Sequence, residues 1–233
     1  MPPALIGLDA DDTLRHDESV FRMTEARFAA LSGDHAAPEV VSAGLLEAER
    51  RNLALHGYGV KGFVLSMIET AHEIAEGDCP PEITRAKLAF GREMPAHPVE
   101  PFEGVAETSE SLARRAILVL VTKGDLLDQE RKLARSGLGE LFSAVEIVSE
   151  KTPETCARLF ARHGEGPERA VTVGSSLRSD VLPALDAGAW AVHVPYAITW
   201  AHEAADPPEA HPRFRRLDAL SGLPALLDEL ETP

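Results

Sequence analysis

The run LIGLDADDTL at residues 5–14 constrains this chain more than any other feature. The apolar stretch from Ala4 to Leu8 is short and does not alternate with polar residues, the pattern of a strand buried on both faces. It runs straight into Asp9, Ala10, Asp11, Asp12 and Thr13. Successive side chains of an extended chain point to opposite sides, so Asp9 and Asp11 point the same way at the strand's carboxyl end. Open α/β sheets place their ligands at that end. Two carboxylates held close repel each other, and their pKa values split. One stays ionised as nucleophile or metal ligand while the other holds a proton to donate. The plainer alternative is a solvated turn with acidic helix-capping residues. Three acids in four positions behind a buried strand weigh against it.

Three further segments extend the pattern. AILVLVTKGD (116–125) is a second β-branched apolar run, ending in Thr122. EIVSEKTPE (146–154) reads as a strand followed by Lys151, with Thr152 as N-cap and Pro153 as the first helical residue. AVTVGSSLRSD (170–180) is a third run, turning at Gly174 into Ser175, Ser176 and finally Asp180. Each polar residue falls just past the carboxyl end of a predicted parallel strand. Singly, Thr122 reads as a turn residue, Lys151 as a solvated lysine and Asp180 as a first-turn helix acid. Their order and common placement argue instead for one site along one sheet edge.

Taken in order, DADDT, Thr122, Lys151 and GSSLRSD resemble the four motifs of the haloacid dehalogenase superfamily, made up mostly of Mg²⁺-dependent phosphohydrolases. The resemblance implies a Rossmann-like, doubly wound parallel sheet with an all-helical cap inserted after the first motif and covering the active site. It implies Asp9 as nucleophile and Asp11 as acid/base. Thr122 and Lys151, with Lys123 beside the former, would hold the phosphoryl group. Mg²⁺ would be bound by Asp9, by the main-chain carbonyl of Asp11, and by Ser175 and Asp180 of the fourth motif. One departure stands out. The fourth motif usually opens Gly-Asp, and here that aspartate is replaced by Ser175.

The departure keeps three other readings open. A metal-free haloacid dehalogenase also has a serine-rich fourth motif, but those enzymes lack the second aspartate of the first motif, and Asp11 is present. A catalytically impaired phosphate-binding or regulatory protein is opposed by the presence of Asp9, Asp11, Thr122 and Lys151 together. A phospho-receiver domain would need a phosphoacceptor aspartate ending a middle strand, and it leaves the long helical insertion unexplained.

That insertion is visible in the periodicity. Between Thr13 and about Pro101 strand signals vanish, and helices are predicted over 20–31, 39–56, 62–76 and 82–93, two of them closed by Gly57 and Gly77. From Gly104 onward the expected order is helix 104–114, strand 116–121, helix 126–136, strand 144–148, helix 153–163, strand 170–173, helix 180–187 and strand 190–194. Such alternation predicts a parallel sheet covered on both faces. The expected organisation is a discontinuous core of residues 1–15 and 101–233, with a cap of residues 16–100. Within the cap, the loop HGYGVKG (56–62) offers Tyr58 and Lys61 as specificity residues, against the alternative of an ordinary helix–helix turn.

Composition narrows the partners. The formal net charge of −15, from 38 acids and 23 bases, leaves no basic stripe to release counterions from a nucleic acid. No apolar stretch approaches the ~18 residues of a membrane span. Cys79 and Cys156 stand far apart and indicate no disulfide framework. The chain enters its first strand at once, so no signal peptide and a cytoplasmic location are expected. A small phosphorylated metabolite is the expected substrate, and a monomer or homodimer the expected state. Asp12 is expected to support the turn after the strand. Arg178 is balanced between a substrate contact and a local ion pair, and Cys156 reads as a small buried residue. His193, Trp200 and His202 are expected to pack against the core more than to border the site.

Overall fold

The computed structural model describes residues 2–77 and 79–231. Its elements run β1 (Leu5–Leu8), α1 (Glu18–Leu31), α2 (Pro38–His56), α3 (Val60–Ile74), α4 (Pro81–Glu93), α5 (Val105–Ala113) and β2 (Ile117–Lys123). There follow α6 (Leu126–Ser136), β3 (Ala144–Val148), α7 (Pro153–His163) and β4 (Ala170–Gly174). A π-helical turn (Leu177–Val181) then leads into α8 (Leu182–Asp186), β5 (Trp190–His193), β6 (Phe214–Arg216) and α9 (Leu223–Glu231).

The six strands form one sheet in the order β3-β2-β1-β4-β5-β6, every pair parallel. The chain starts in the middle of the sheet and winds outward to both sides, the doubly wound arrangement expected for this sequence. β1 is therefore flanked on both edges and covered on both faces, which is why LIGL is apolar throughout. Ile6, Leu8, Leu118, Leu120, Val171 and Val173 face a core completed by Val105 and Leu112 of α5 and Leu223 and Leu227 of α9. Leu5, Val119, Val121 and Ala170 face the other way, onto Cys156, Leu159 and Phe160 of α7 and Ala184 of α8. Each fully buried Leu, Ile or Val is worth roughly 1.5–3 kcal/mol, so the two cores fix the strand register that sets the site.

The chain divides into two compact units. One comprises Met1–His16, Val99–Lys123 and Gln129–Pro233; the other comprises Asp17–Pro98 and Gly124–Asp128. The second unit is helical and has its own core, built from Phe28, Val41, Leu45, Phe63, Met67 and Phe90. In the first unit, the outgoing and returning chains run side by side: His16 N donates to Glu100 O and Phe102 N donates to Leu14 O. No helix among the described residues is long and apolar enough to cross a membrane.

Two differences from the expected elements have physical causes. The sequence pattern predicts neither β6 nor α9. β6 is a three-residue edge strand, FRR, whose two arginines hide any apolar run. The helix expected at 180–187 begins earlier, as the π-helical turn, because Ser176 and Asp180 draw the chain into a wider turn than an α-helix makes.

Candidate active site

The pairing Leu8↔Leu120 and Leu8↔Val173 brings Asp9, Thr122 and Gly174 to the same end of the sheet. Asp9 is buried and anchored by its main chain, its N–H donating to Val173 O. Its side chain is held twice. Oδ1 accepts from Lys151 Nζ at 2.6 Å and Oδ2 accepts from Thr13 Oγ1 at 3.0 Å. Thr13 Oγ1 in turn accepts from Ser175 N at 3.0 Å, tying the first motif to the fourth.

Lys151 follows β3 and is buried where Thr152 starts α7, Thr152 Oγ1 accepting from Thr155 N with Pro153 in the first turn. Its Nζ also lies 2.6 Å from Asp180 Oδ1. Asp180 Oδ2 accepts from Ser176 N. Only glycine fits at position 174, since a Cβ there would collide with the Asp180 carboxylate.

The electrostatics follow from this packing. Burial, reinforced by the charge of Asp180, raises Asp9 to about 7 against the opposing pull of Lys151. Burial alone would discharge Lys151, but Asp180 and Asp9 outweigh it and hold the ammonium charged above its ordinary range.

Asp11 sits in a different setting. Its Oδ1 accepts from Arg15 Nε at 3.0 Å, and its Oδ2 accepts from Gln129 Nε2 at 2.7 Å, with Lys132 Nζ at 3.4 Å. Arg15 is itself buried and donates to Gln129 Oε1. Burial resists ionisation of Asp11, yet Lys132, Arg15 and Gln129 overcome it and hold the carboxyl well below the usual range. Asp12 takes a left-handed backbone with φ 60° and donates its N–H to Arg15 O, the turn-supporting role expected for it.

The remaining expected residues are placed as follows. Thr122 is buried near the end of β2, inside the strand and not beyond it, and its hydroxyl donates to Lys123 O. Lys123 is paired with Glu203 at 2.7 Å and hydrogen-bonded to Ser179 Oγ at 2.6 Å. Ser175 is held by main-chain contacts, its carbonyl lying 3.0 Å from His193 Nε2. In the helical unit, Lys61 pairs with Asp125 at 2.7 Å, and Tyr58 lies half-buried in the loop before α3. Arg178 donates to His202 O, and Cys156 is buried, its thiol pushed up by burial to about 11.

Thr13, Arg15, Gln129, Lys132 and Glu203 were not singled out from sequence. Arg15 carried a usable signal, a cation standing four residues after Asp11 and just behind three acids. The others contact residues 24–121 positions away or, for Thr13, resemble any hydroxyl residue in a turn.

The acids at this edge are hard oxygen donors, the kind a divalent cation takes. Asp9 and Asp180 bring hard carboxylate oxygens to the same end of the sheet, and the point on which Oδ1 of each converges is taken by the Lys151 ammonium. Magnesium is held by one or two carboxylates and keeps several waters, so it does not need a full cage of protein ligands. Among the described residues no group of three or more His, Cys, Asp or Glu side chains is arranged for a metal. Neutral oxygens would complete the set.

Comparison with known proteins agrees with this architecture. The family model of haloacid dehalogenase-like hydrolases matches residues 3–188, and the chain belongs to that family of hydrolases. A haloacid dehalogenase-like family hydrolase from Xanthomonas campestris superposes with a TM-score of 0.87 at 41% identity, covering 99% of this chain and 92% of that one. A phosphoserine phosphatase from Thermus thermophilus is 31% identical over 144 residues, or 60% of this chain; the match spans 55% of that relative's length. An L-2-haloacid dehalogenase from Xanthobacter autotrophicus shares the fold, with a TM-score of 0.65 at 19% identity over 97% of this chain and 98% of that one.

Proposed function

We propose that this hydrolase cleaves small phosphomonoesters through an aspartyl-phosphate intermediate, with Mg²⁺ as cofactor. The observation that carries the reading is the Asp9–Lys151–Asp180 constellation beside Asp11 at the carboxyl edge of the sheet. The similarity to a phosphoserine phosphatase supports the same substrate class.

An Asp9 carboxylate oxygen attacks phosphorus in line, forming the Asp9–phosphorus bond as the bond to the leaving oxygen breaks. Thr13, donating to Oδ2, and Lys151, donating to Oδ1, fix the orientation of the Asp9 carboxylate between them. Lys151 and Thr122 stabilise the equatorial oxygens, and Lys151 brings a charge that burial cannot remove. As acid/base, Asp11 gives a proton to the leaving oxygen, for which it must first be protonated against the pull of Arg15, Gln129 and Lys132, and takes one from the water that hydrolyses the intermediate. Its cage of Arg15, Gln129 and Lys132 favours the second task, since every contact to its oxygens is a donor. Asp9, Asp180, Ser175 and the Asp11 carbonyl would hold the cation. When bound, it neutralises charge on the phosphoryl oxygens and the nucleophile. We assign the helical unit the role of a cap, with Tyr58 and Lys61 as specificity residues.

Ser175 supports a second reading, metal-free hydrolysis of a haloacid, because a hydroxyl is a weaker cation ligand than a carboxylate. One experiment separates the two. Phosphate release from an aryl phosphate and from a panel of phosphorylated metabolites is measured with Mg²⁺ and with a chelator, alongside halide release from 2-haloacids. Phosphate release that chelation abolishes supports the proposal. Halide release that survives the chelator, without phosphatase activity, overturns it.

A further inference from the structure

The long connection between β5 and β6 contributes one acid to the catalytic edge. Glu203 N donates to Trp200 O in a tight turn, and the carboxylate is only 14% exposed. Oε1 lies 2.7 Å from Lys123 Nζ. Oε2 accepts from the hydroxyls of both Ser176 and Ser179, each at 2.5 Å. Every one of these partners comes from the second or fourth motif.

We propose that Glu203 is a positioning residue for the phosphoryl site, holding the fourth-motif turn, and through it Asp180 and Lys151, in place from the distant β5–β6 connection. The inference rests on the phosphatase reading for its kinetic consequence alone. Ser176 is the pivot. Its hydroxyl donates to Glu203 and accepts from Ser179 N, while its own N–H donates to Asp180 Oδ2. Asp180 then holds Lys151, and Lys151 holds Asp9. A continuous path of hydrogen bonds between 2.5 and 2.9 Å thus joins Glu203 to the nucleophile.

The need for such a brace lies in the turn itself. A π-helical turn is rare and occurs mostly as a single turn at functional sites, and residues 177–181 carry Asp180 within one. The π-turn leaves the Ser176 and Ser179 hydroxyls facing a common point, and one carboxylate satisfies both. Lys123 completes the arrangement as counterion, which makes it part of the brace and removes its charge from the free phosphate-binding set. Supporting residues of this kind typically cost about 10- to 100-fold in activity when removed.

The test uses full-length Glu203→Ala, Glu203→Gln and the double variant Lys123→Met/Glu203→Gln. Steady-state kinetics on an aryl phosphate are combined with hydrogen exchange of residues 175–181. For Glu203→Ala, kcat should fall about tenfold or more with KM changed less than about threefold, and exchange in 175–181 should rise while β1 and β4 stay protected. Glu203→Gln keeps one acceptor for the serines and should recover part of kcat. The double variant should exceed Glu203→Gln, because it removes the uncompensated Lys123 charge. Unchanged exchange in 175–181 overturns the proposal even if the protein is no phosphatase. So does a rise in KM alone, which would make Glu203 a substrate contact. A wild-type protein without phosphatase activity refutes the functional reading and leaves the exchange result to decide the brace.

Discussion

Asp9 and Asp180 are bridged by one cation, Lys151 Nζ, which lies 2.6 Å from Oδ1 of each. Both acids and the lysine are buried, so the three charges depend on one another. Lys151→Met should cost roughly 3–5 kcal/mol of stability by leaving two buried carboxylates facing each other. Turnover should fall by about 100-fold or more at a temperature where the variant is still folded. Denaturant unfolding and steady-state kinetics check both. A variant retaining most of its turnover would remove Lys151 from the phosphoryl site.

Asp11 and its donors give a contrast between leaving groups. Asp11→Asn places an amide among donors from Arg15, Gln129 and Lys132 and removes the proton carrier. Hydrolysis of alkyl phosphates should slow roughly 100-fold or more, and that of nitrophenyl phosphate much less, since a good leaving group departs without a proton. Asp9→Asn should abolish both, together with the covalent intermediate. Equal losses for both substrate types in Asp11→Asn would show that Asp11 is not the acid.

Position 175 tests the cation set by binding instead of rate. Replacing a hydroxyl by a carboxylate in Ser175→Asp should tighten Mg²⁺ binding about tenfold, or ~1.4 kcal/mol, in calorimetric titration. Asp180→Ala should weaken it. No gain from Ser175→Asp would mean that residue 175 does not face the ion.

Lys61 and Asp125 form an exposed pair, Lys61 being 70% exposed, so Lys61→Ala should change stability by less than about 1 kcal/mol. If the loop before α3 selects substrate, Tyr58→Ala and Lys61→Ala should raise KM for the preferred metabolite and spare acetyl phosphate. Parallel effects on both substrates would return the loop to a structural role.

Lys87 of α4 offers a stability test in the helical unit. It is fully buried, with Nζ donating to Ile83 O and lying 4.9 Å from the Phe28 ring centroid. Burial lowers its pKa from the ordinary 10.5 to about 8. Between those values the unfolded chain binds the extra proton, so stability should rise as pH increases from about 8 to 10.5, by roughly 3 kcal/mol. Lys87→Met should be more stable than the parent at pH 7 and should lose that rise. A parent with flat stability across the window would contradict the burial of a charged Lys87.

Which parts of the molecule the residues announce is decided by how local their causes are. β1, β2 and β4 are apolar because both faces of a central strand are covered, and that burial writes itself into consecutive residues. Chain direction then puts the carboxyl ends of the strands at one edge, so Thr122, near the end of β2, and Asp9, Lys151 and Asp180, which follow their strands, were locatable without coordinates. The helices of the second unit were equally legible from periodicity, and Gly57 closes α2 as expected, whereas α3 ends at Ile74 with Ala75 as its cap and the left-handed turn at Glu76, ahead of Gly77. The π-turn, the Asp11 cage and the Glu203 brace were not. Gln129 meets Asp11 across 118 residues, and Glu203 meets Lys123 across 80, and nothing in the residues between encodes either meeting. The sequence alone determined which elements form and which side chains stand at the strand ends. Only the tertiary structure decided which charge neutralises which, because an ion pair depends on distance in space, and the winding of the sheet sets that distance.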